Sequence, residues 1–402
     1  MLLGEKGLME HRTIQKLTEQ IGYGFLFLYA IAAHISTAAT SVATAGGALA
    51  ILALLIINRG TVDLTDRQKI LSKVFFFFCI SISFTSLFSH NSLDSLWKTL
   101  GMAVRFTPMF MAIFFLKSKK QLQWIIVGLL VSVVIADFAA IRQLLNHEQT
   151  IGFVHNRIYF ANQLLPMLIL AIPCLFYGKY TVRVRYFIGF AALLTAGVLI
   201  FSQVRGVWLA GLATYLLFLT IYRRNDNKLI VFSCVAALVT ALCFWINSDL
   251  LARLGSIGNM NDRSNIERIY MWQSAWRMFI EYPLVGLGFG QFQHFYTADS
   301  HYLMPMSKYS GFAHPHNVVM TFLAETGLVG VVAFCILFAT ILVNTLKKYF
   351  AKRDSLALVA FLSTAGFLFA GMTDNVFAML TVFRMITLLI GMGFSEVTLE
   401  SD

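Results

Sequence analysis

Arginines at the edges of apolar runs, and a histidine pair immediately ahead of one, are the side chains in this sequence with the means to do chemistry. Arg205 stands between two apolar stretches, in Ser202-Gln203-Val204-Arg205-Gly206. A cation at the hydrocarbon boundary is costly to keep, so it marks a functional position unless it merely snorkels to the interface. Arg105 and Arg384 lie inside other apolar runs, with Asp137 and Asp374 as acidic counterparts, and each of these four serves equally well in a structural ion pair. Arginines at a common depth nonetheless suit an anionic group, because the planar guanidinium grips a phosphate with two parallel N–H donors. Farther on, His314-Pro315-His316-Asn317 precedes a long apolar run. Asn317 fits an N-cap, and the free amides and dipole of a helix start keep a nearby histidine neutral, the form required of a general base. An interfacial ring without a chemical role accounts for His316 equally well. His314 and His316 also make half a metal-ligand set, but no Cys, Asp or Glu clusters beside them, so no metal is expected. Weaker candidates are Glu267, Glu325 (able to pair with an arginine or to orient His316) and Arg157 in His155-Asn156-Arg157, as a phosphate or sugar contact.

The elements that must position these residues are membrane helices. The chain has 402 residues, 58% hydrophobic and only 13% charged, where soluble domains carry about a quarter charged residues. The expected class is an all-α polytopic membrane protein. About twelve apolar runs approach the roughly 20 residues needed to cross a bilayer: 18–36, 38–58, 71–89, 98–116, 122–142, 161–178, 186–204, 206–222, 228–246, 317–345, 355–373 and 375–395. The net charge of +11 does not indicate nucleic acid, because the basic residues sit in short clusters between apolar runs. Lys6/Arg12/Lys16, Arg59/Arg67/Lys69/Lys73, Lys117/Lys119/Lys120, Lys179/Arg183/Arg185, Arg223/Arg224/Lys228 and Lys347/Lys348/Lys352/Arg353 all fall on one side of the membrane. The short loops of the other side hold only Lys98, Arg142, Arg157 and Arg205. Cytoplasmic loops carry the excess of Lys and Arg, so the second side faces outward.

One outward segment, 247–316, is too long for a connector and too polar for lipid, and loops of that kind usually carry function. The expected organisation is therefore membrane helices in 1–246, an outer loop domain in 247–316 and membrane helices in 317–402. Within the loop, Asp262 to Glu281 predicts an amphipathic helix with Ile266, Ile269, Tyr270, Trp272, Trp276, Met278 and Phe279 on its apolar positions, stopped by Pro283. Such a helix suits the plane of the outer leaflet. All five cysteines (Cys79, Cys174, Cys234, Cys243 and Cys335) lie in apolar runs without a CxxC, which reads as packing rather than a disulfide or zinc. Glu5, Glu10 and Glu19 interrupt the N-terminal stretch, which does not read as a cleavable signal.

In three ordered stretches the sequence resembles the O-antigen ligase and O-antigen polymerase superfamily of membrane glycosyltransferases. They are Ser202-Gln203-Val204-Arg205-Gly206-Val207-Trp208-Leu209-Ala210; Glu267-Arg268 with Trp272, Ala275 and Pro283-Leu284-Val285-Gly286-Leu287-Gly288; and His316-Asn317 with Glu325 and Gly327. The resemblance implies an inverting, metal-independent glycosyl transfer at the periplasmic face of the bacterial inner membrane, without a cofactor. The implied partners are membrane lipid, a glycan donor on undecaprenyl diphosphate and, for a ligase, a sugar hydroxyl of lipid A–core oligosaccharide. It also implies that Arg205 and Arg268 bind the diphosphate leaving group and that His316 assists deprotonation of the acceptor. Arg105, Arg384, Asp374, Arg157, Asn317 and Glu325 are added here as substrate-binding candidates. A polymerase or a protein O-oligosaccharyltransferase shares this donor and logic. A transporter is the alternative of another class, and it predicts charges at the membrane midplane and paired, broken helices.

Overall fold

The computed structural model describes residues 2–177, 180–222, 227–259, 261–298, 301–302 and 314–399. Lys179, Arg223 and Arg224 among the topology signals, and residues 303–313 of the outer segment, lie outside the described residues. The described chain is helical throughout: α1 (Leu2–Ala32), α2 (Thr37–Ile57), α3 (Asp66–Leu87), α4 (Ser92–Val104), α5 (Thr107–Phe115), α6 (Lys119–Leu145), α7 (Arg157–Tyr177), α8 (Val182–Phe201) and α9 (Arg205–Ile221), followed by α10 (Asn227–Ile246), α11 (Ser248–Gly255), α12 (Arg263–Glu281), α13 (Phe292–Ala298), α14 (Val318–Lys352), α15 (Ser355–Gly371) and α16 (Leu380–Phe394). Lipid offers no hydrogen bonds, so a spanning segment must satisfy its own backbone, and the helix does this residue by residue. Among the described residues, seven helices are long and apolar enough to cross a membrane: α2, α3, α6, α7, α8, α10 and α14.

The remaining expected spans are shorter or mixed. Helices α9, α15 and α16 are apolar but have fewer than 18 residues. The expected span 98–116 is two helices, α4 and α5, broken at Arg105–Phe106 ahead of Pro108. Proline has no N–H and clashes with the preceding turn, so it opens a helix more readily than it continues one. Large apolar side chains such as Leu49, Phe76, Ile80 and Trp245 point outward, as a lipid-facing surface requires. The interior is close-packed around α15 and α16, whose residues are almost all buried, with α5, α7, α9 and α14 against them.

The outer segment has a small core of its own. Met271, Ala275 and Met278 of α12 meet Leu287, Phe292, Tyr296, Tyr302 and Ala324. The expected helix at 262–281 is present, with the Asp262 side chain accepting from the Ser264 amide as N-cap. Its buried face, however, is Glu267, Met271, Ser274, Ala275 and Met278, while Trp276 is 47% exposed. Trp276 therefore faces away from the protein, and Met271, Ala275 and Met278 make the contact.

This core is joined to the membrane helices at a backbone junction. The long helix α14 kinks at Gly327 (φ 57°, ψ −159°), which frees carbonyls to leave the helix ladder. Leu287 N donates to Ala324 O at 3.0 Å and Gly288 N to Glu325 O at 2.8 Å, while Leu328 N reaches Pro283 O at 2.9 Å. A Cβ at Gly327 would lie 2.5 Å from the Leu284 carbonyl, and one at Gly286 would lie 2.4 Å from the Glu325 backbone. Gly327→Ala is therefore expected to destabilise the protein by about 3 kcal/mol, combining a glycine-only conformation with a backbone clash. Thermal unfolding in detergent checks this against Gly197→Ala, where a Cβ meets nothing within 4 Å; equal stability of the two variants would refute the junction.

Candidate active site

The turn from α8 to α9 begins the site. Gln203 takes a left-handed conformation (φ 59°), a cost that a non-glycine residue bears mainly at functional positions. Arg205 follows as the first residue of α9 and is only 8% exposed. Its Nη1 donates to Ser256 O at 2.6 Å and to Ser256 Oγ at 2.8 Å. Its Nη2 reaches Asp262 Oδ1 at 3.2 Å, so the guanidinium ties the α11–α12 turn to the membrane helices. Arg253 of α11 donates through Nε to Gln203 O at 3.4 Å. Gln203, Arg205 and Arg253, with Arg157, Asn162, Arg268, Thr373 and Asp374, line a cavity of about 120 Å³. The next residue, Gly206, lets α9 approach the loop between α15 and α16: a Cβ there would sit 2.2 Å from Thr373 Oγ1.

The cavity is cationic. The guanidiniums of Arg157, Arg205, Arg253 and Arg268 face it, and Asp374 is the acidic residue in its wall. Asp262, just behind, is held below the usual carboxylate range: burial pushes it up, but the hydrogen bond and charge of Arg205 outweigh this. Arg268 has a buried Nε without a hydrogen-bond partner among the described residues. Surplus positive charge and an unsatisfied donor in an enclosed space suit a phosphate-type anion.

Beside the arginines stands a histidine–carboxylate pair. Trp272 Nε1 donates to Pro315 O at 2.8 Å, fixing the chain on the α12 side. Asn317 caps α14, its Oδ1 accepting from the Met320 amide while its Nδ2 donates to Met372 O at 3.0 Å. Between these anchors His316 adopts φ 49°, again in the left-handed region. Its Nδ1 lies 2.9 Å from Asp374 Oδ1. Burial pushes the Asp374 carboxyl up, but the hydrogen bond and charge of His316, aided by His314, hold it below its ordinary value. An ionised carboxylate can only accept, so His316 donates through Nδ1 and presents its lone pair on Nε2. Burial, with His316 adding to it, pushes His314 down to about 4, which keeps that ring neutral.

The structure brings Arg205, Arg268, Arg157, Asp374 and His316 together, adds Arg253 and Gln203, which the sequence did not offer as site residues, and gives the motif residue Trp272 a part in holding Pro315. Arg253 was legible only as one basic residue of a long loop; the short helix α11 is what aims it inward. Other expected members serve elsewhere. Glu325 neither pairs with an arginine nor orients His316: its carboxylate accepts from the amides of Gly290 (2.8 Å) and Phe292 (3.1 Å) and secures the Gly327 junction. Arg105 caps α4 and donates to Phe377 O (2.9 Å) and Ala378 O (3.2 Å), bracing the loop that carries Asp374. Arg384 donates to Ser41 Oγ at 3.0 Å. Asn317 contributes to the site as a helix cap. The expected absence of an acid beside the histidine pair also fails in space, because Asp374 lies against both rings.

These features define a polytopic membrane protein with a small cationic cavity next to a His–Asp pair. Residues 190–335 match the family model Wzy_C, described as O-Antigen ligase. The match places this segment in the O-antigen ligase and polymerase superfamily, whose members are membrane glycosyltransferase-like enzymes. It spans Arg205, Arg253, Arg268 and His316 and ends before Asp374. A search of curated proteins finds no match to this chain.

Proposed function

We propose that the protein is an O-antigen ligase that transfers a glycan from undecaprenyl diphosphate to a sugar hydroxyl of lipid A–core, at the periplasmic face of the inner membrane. The observation that carries this reading is the arginine-lined cavity beside His316 and Asp374. The diphosphate of the donor occupies the cavity, with Arg205 and Arg268 as its principal contacts and Arg157 and Arg253 adding charge. The acceptor oxygen attacks the anomeric carbon as the bond from that carbon to the phosphate oxygen breaks, and in-line displacement inverts the configuration. The electron pair leaves with undecaprenyl diphosphate. The hydroxyl proton passes to His316 Nε2, and Asp374 stabilises the imidazolium until the proton returns to solvent. Fixed guanidiniums stabilise the charge gathering on the leaving group, and a good leaving group of this kind needs charge stabilisation more than protonation.

An apolar groove of about 400 Å³ supports a lipid-linked donor. It is lined by residues of α7 to α10, including Leu165, Ile169, Trp208 and Phe244, and shares Val207 with the cationic cavity. A polyprenyl tail in the groove keeps its diphosphate among the arginines. The lysine and arginine distribution along the loops supports the periplasmic placement. The choice of a ligase over other members of the superfamily follows the description of the matched family model.

The test is reconstitution of the purified protein with undecaprenyl-diphosphate-linked glycan and lipid A–core in EDTA. Transfer to core supports the reading. Self-extension of the donor identifies a polymerase, and glycosylation only of an added protein identifies an oligosaccharyltransferase; either result overturns the ligase. Activity in detergent, without sealed vesicles, separates all three from a transporter.

A further inference from the structure

The histidine–carboxylate cluster has the composition of a transition-metal site. One ligand atom from each of His314, His316 and Asp374 lies within 4.8 Å of the other two. The two imidazole rings meet edge to face, 4.7 Å between centroids, and His316 Nδ1 is 2.9 Å from Asp374 Oδ1. Zinc bonds to imidazole nitrogen and carboxylate oxygen are about 2.0–2.2 Å long, which puts neighbouring ligand atoms about 3 Å apart. The spacing across the His316–Asp374 hydrogen bond therefore suits an ion in place of the shared proton, with a small turn of the His314 ring completing the set. Two imidazoles and one carboxylate leave a fourth position open for water or a substrate oxygen.

We infer that this cluster binds a zinc-like divalent ion and that the bound ion inhibits the protein. The inference rests on the proposed role of His316 as base. If the ion takes Nδ1, the imidazole stays neutral and its proton passes to Nε2, so the nitrogen that must accept the acceptor's proton no longer has a lone pair. If the ion takes Nε2 instead, it occupies that lone pair directly. Either way the base is lost. The neighbouring guanidiniums disfavour every divalent ion, so only metals that bond strongly to imidazole overcome them. Zinc belongs to that group, whereas magnesium prefers oxygen ligands.

The experiment has a binding arm and an activity arm, both on the full-length protein in detergent. Calorimetric titration of the EDTA-treated wild type with zinc is expected to show one site per chain, weakened by on the order of 100-fold in His314→Ala. Zinc is expected to suppress glycan transfer by the wild type, EDTA to restore it, and an equal concentration of magnesium to leave it unchanged. In His314→Ala, which removes a ligand but not the base, whatever metal-free transfer remains is expected to be insensitive to zinc; His314→Gln serves as a second variant if the alanine form does not fold. Absence of a zinc site in the wild type, or equal zinc affinity in wild type and His314 variants, would overturn the inference. The calorimetry reads out whatever the protein transfers, so failure of the functional reading and failure of the metal site are separable.

Discussion

Replacing Arg268 with alanine is expected to lower kcat/KM for glycan transfer by about 10²–10³-fold, the usual cost of losing one preorganised donor to developing negative charge. The loss is expected mostly in kcat, because charge on the diphosphate oxygen grows as the glycosidic bond breaks and Arg268 gains most at that point. Arg268 is the more informative of the two motif arginines. Arg205 holds Ser256 and Asp262, so its removal also loosens the α11–α12 turn. Arg268 leaves its buried Nε without a partner among the described residues, and the negative charges it feels are Asp374, which shares the cavity wall, and Asp262. Arg268→Ala should therefore fold and unfold like the wild type while failing in transfer. Arg268→Lys restores the charge but not the two-pronged grip, and partial recovery is expected. Steady-state kinetics with purified lipid substrates, alongside thermal unfolding, checks both statements; wild-type kcat in Arg268→Ala would remove the arginine from the mechanism.

His316→Ala is expected to cost about 10²–10⁴-fold in kcat, the range over which a positioned general base contributes. Asp374→Asn tests the same step through the partner. Asparagine can offer an N–H to Nδ1, which favours the tautomer with its proton on Nε2 and so removes the base while keeping the ring in place. A loss on the order of 100-fold is expected for that variant. Glu325→Gln provides the contrast. Its carboxylate holds two backbone amides, so exchanging an acceptor for a donor should lower thermal stability while leaving per-molecule activity near that of the wild type. If Glu325→Gln lost catalysis and Asp374→Asn retained it, the assignment of the two acids would be reversed.

The motif residues divide along the same line. Arg205 and Arg268 line the cationic cavity and His316 pairs with Asp374 in its wall, while Gly286, Gly288, Glu325 and Gly327 build the junction between the outer core and α14. Trp272 sits between these groups, holding the Pro315 carbonyl one residue ahead of the base. The spacing of residues along the chain does not distinguish a glycine that admits a substrate from one that admits a neighbouring backbone.

Composition and the length of the apolar runs determined the all-helical membrane architecture, because a continuous run of about 20 apolar residues satisfies its backbone in lipid as a helix, whereas the strands of a membrane barrel are shorter and alternate. Local rules likewise determined Asn317 as a helix cap and the helix that Asp262 opens, since a helix start depends on a few adjacent residues. The motif arginines and His316 were legible as candidates for a related reason: a charge or an imidazole beside an apolar run is conspicuous in a one-dimensional pattern. What only the tertiary structure decided is which distant groups meet. Asp374, rather than the nearer Glu325, orients His316, because Asn317 and Gly206 draw the α15–α16 loop against the starts of α14 and α9. Arg253 is carried into the cavity by a helix too short to announce itself, and Arg105 is spent on carbonyls that the break before α5 brings within reach. Those pairings depend on how helices far apart in sequence pack, and side-chain periodicity within one helix holds no record of its neighbours.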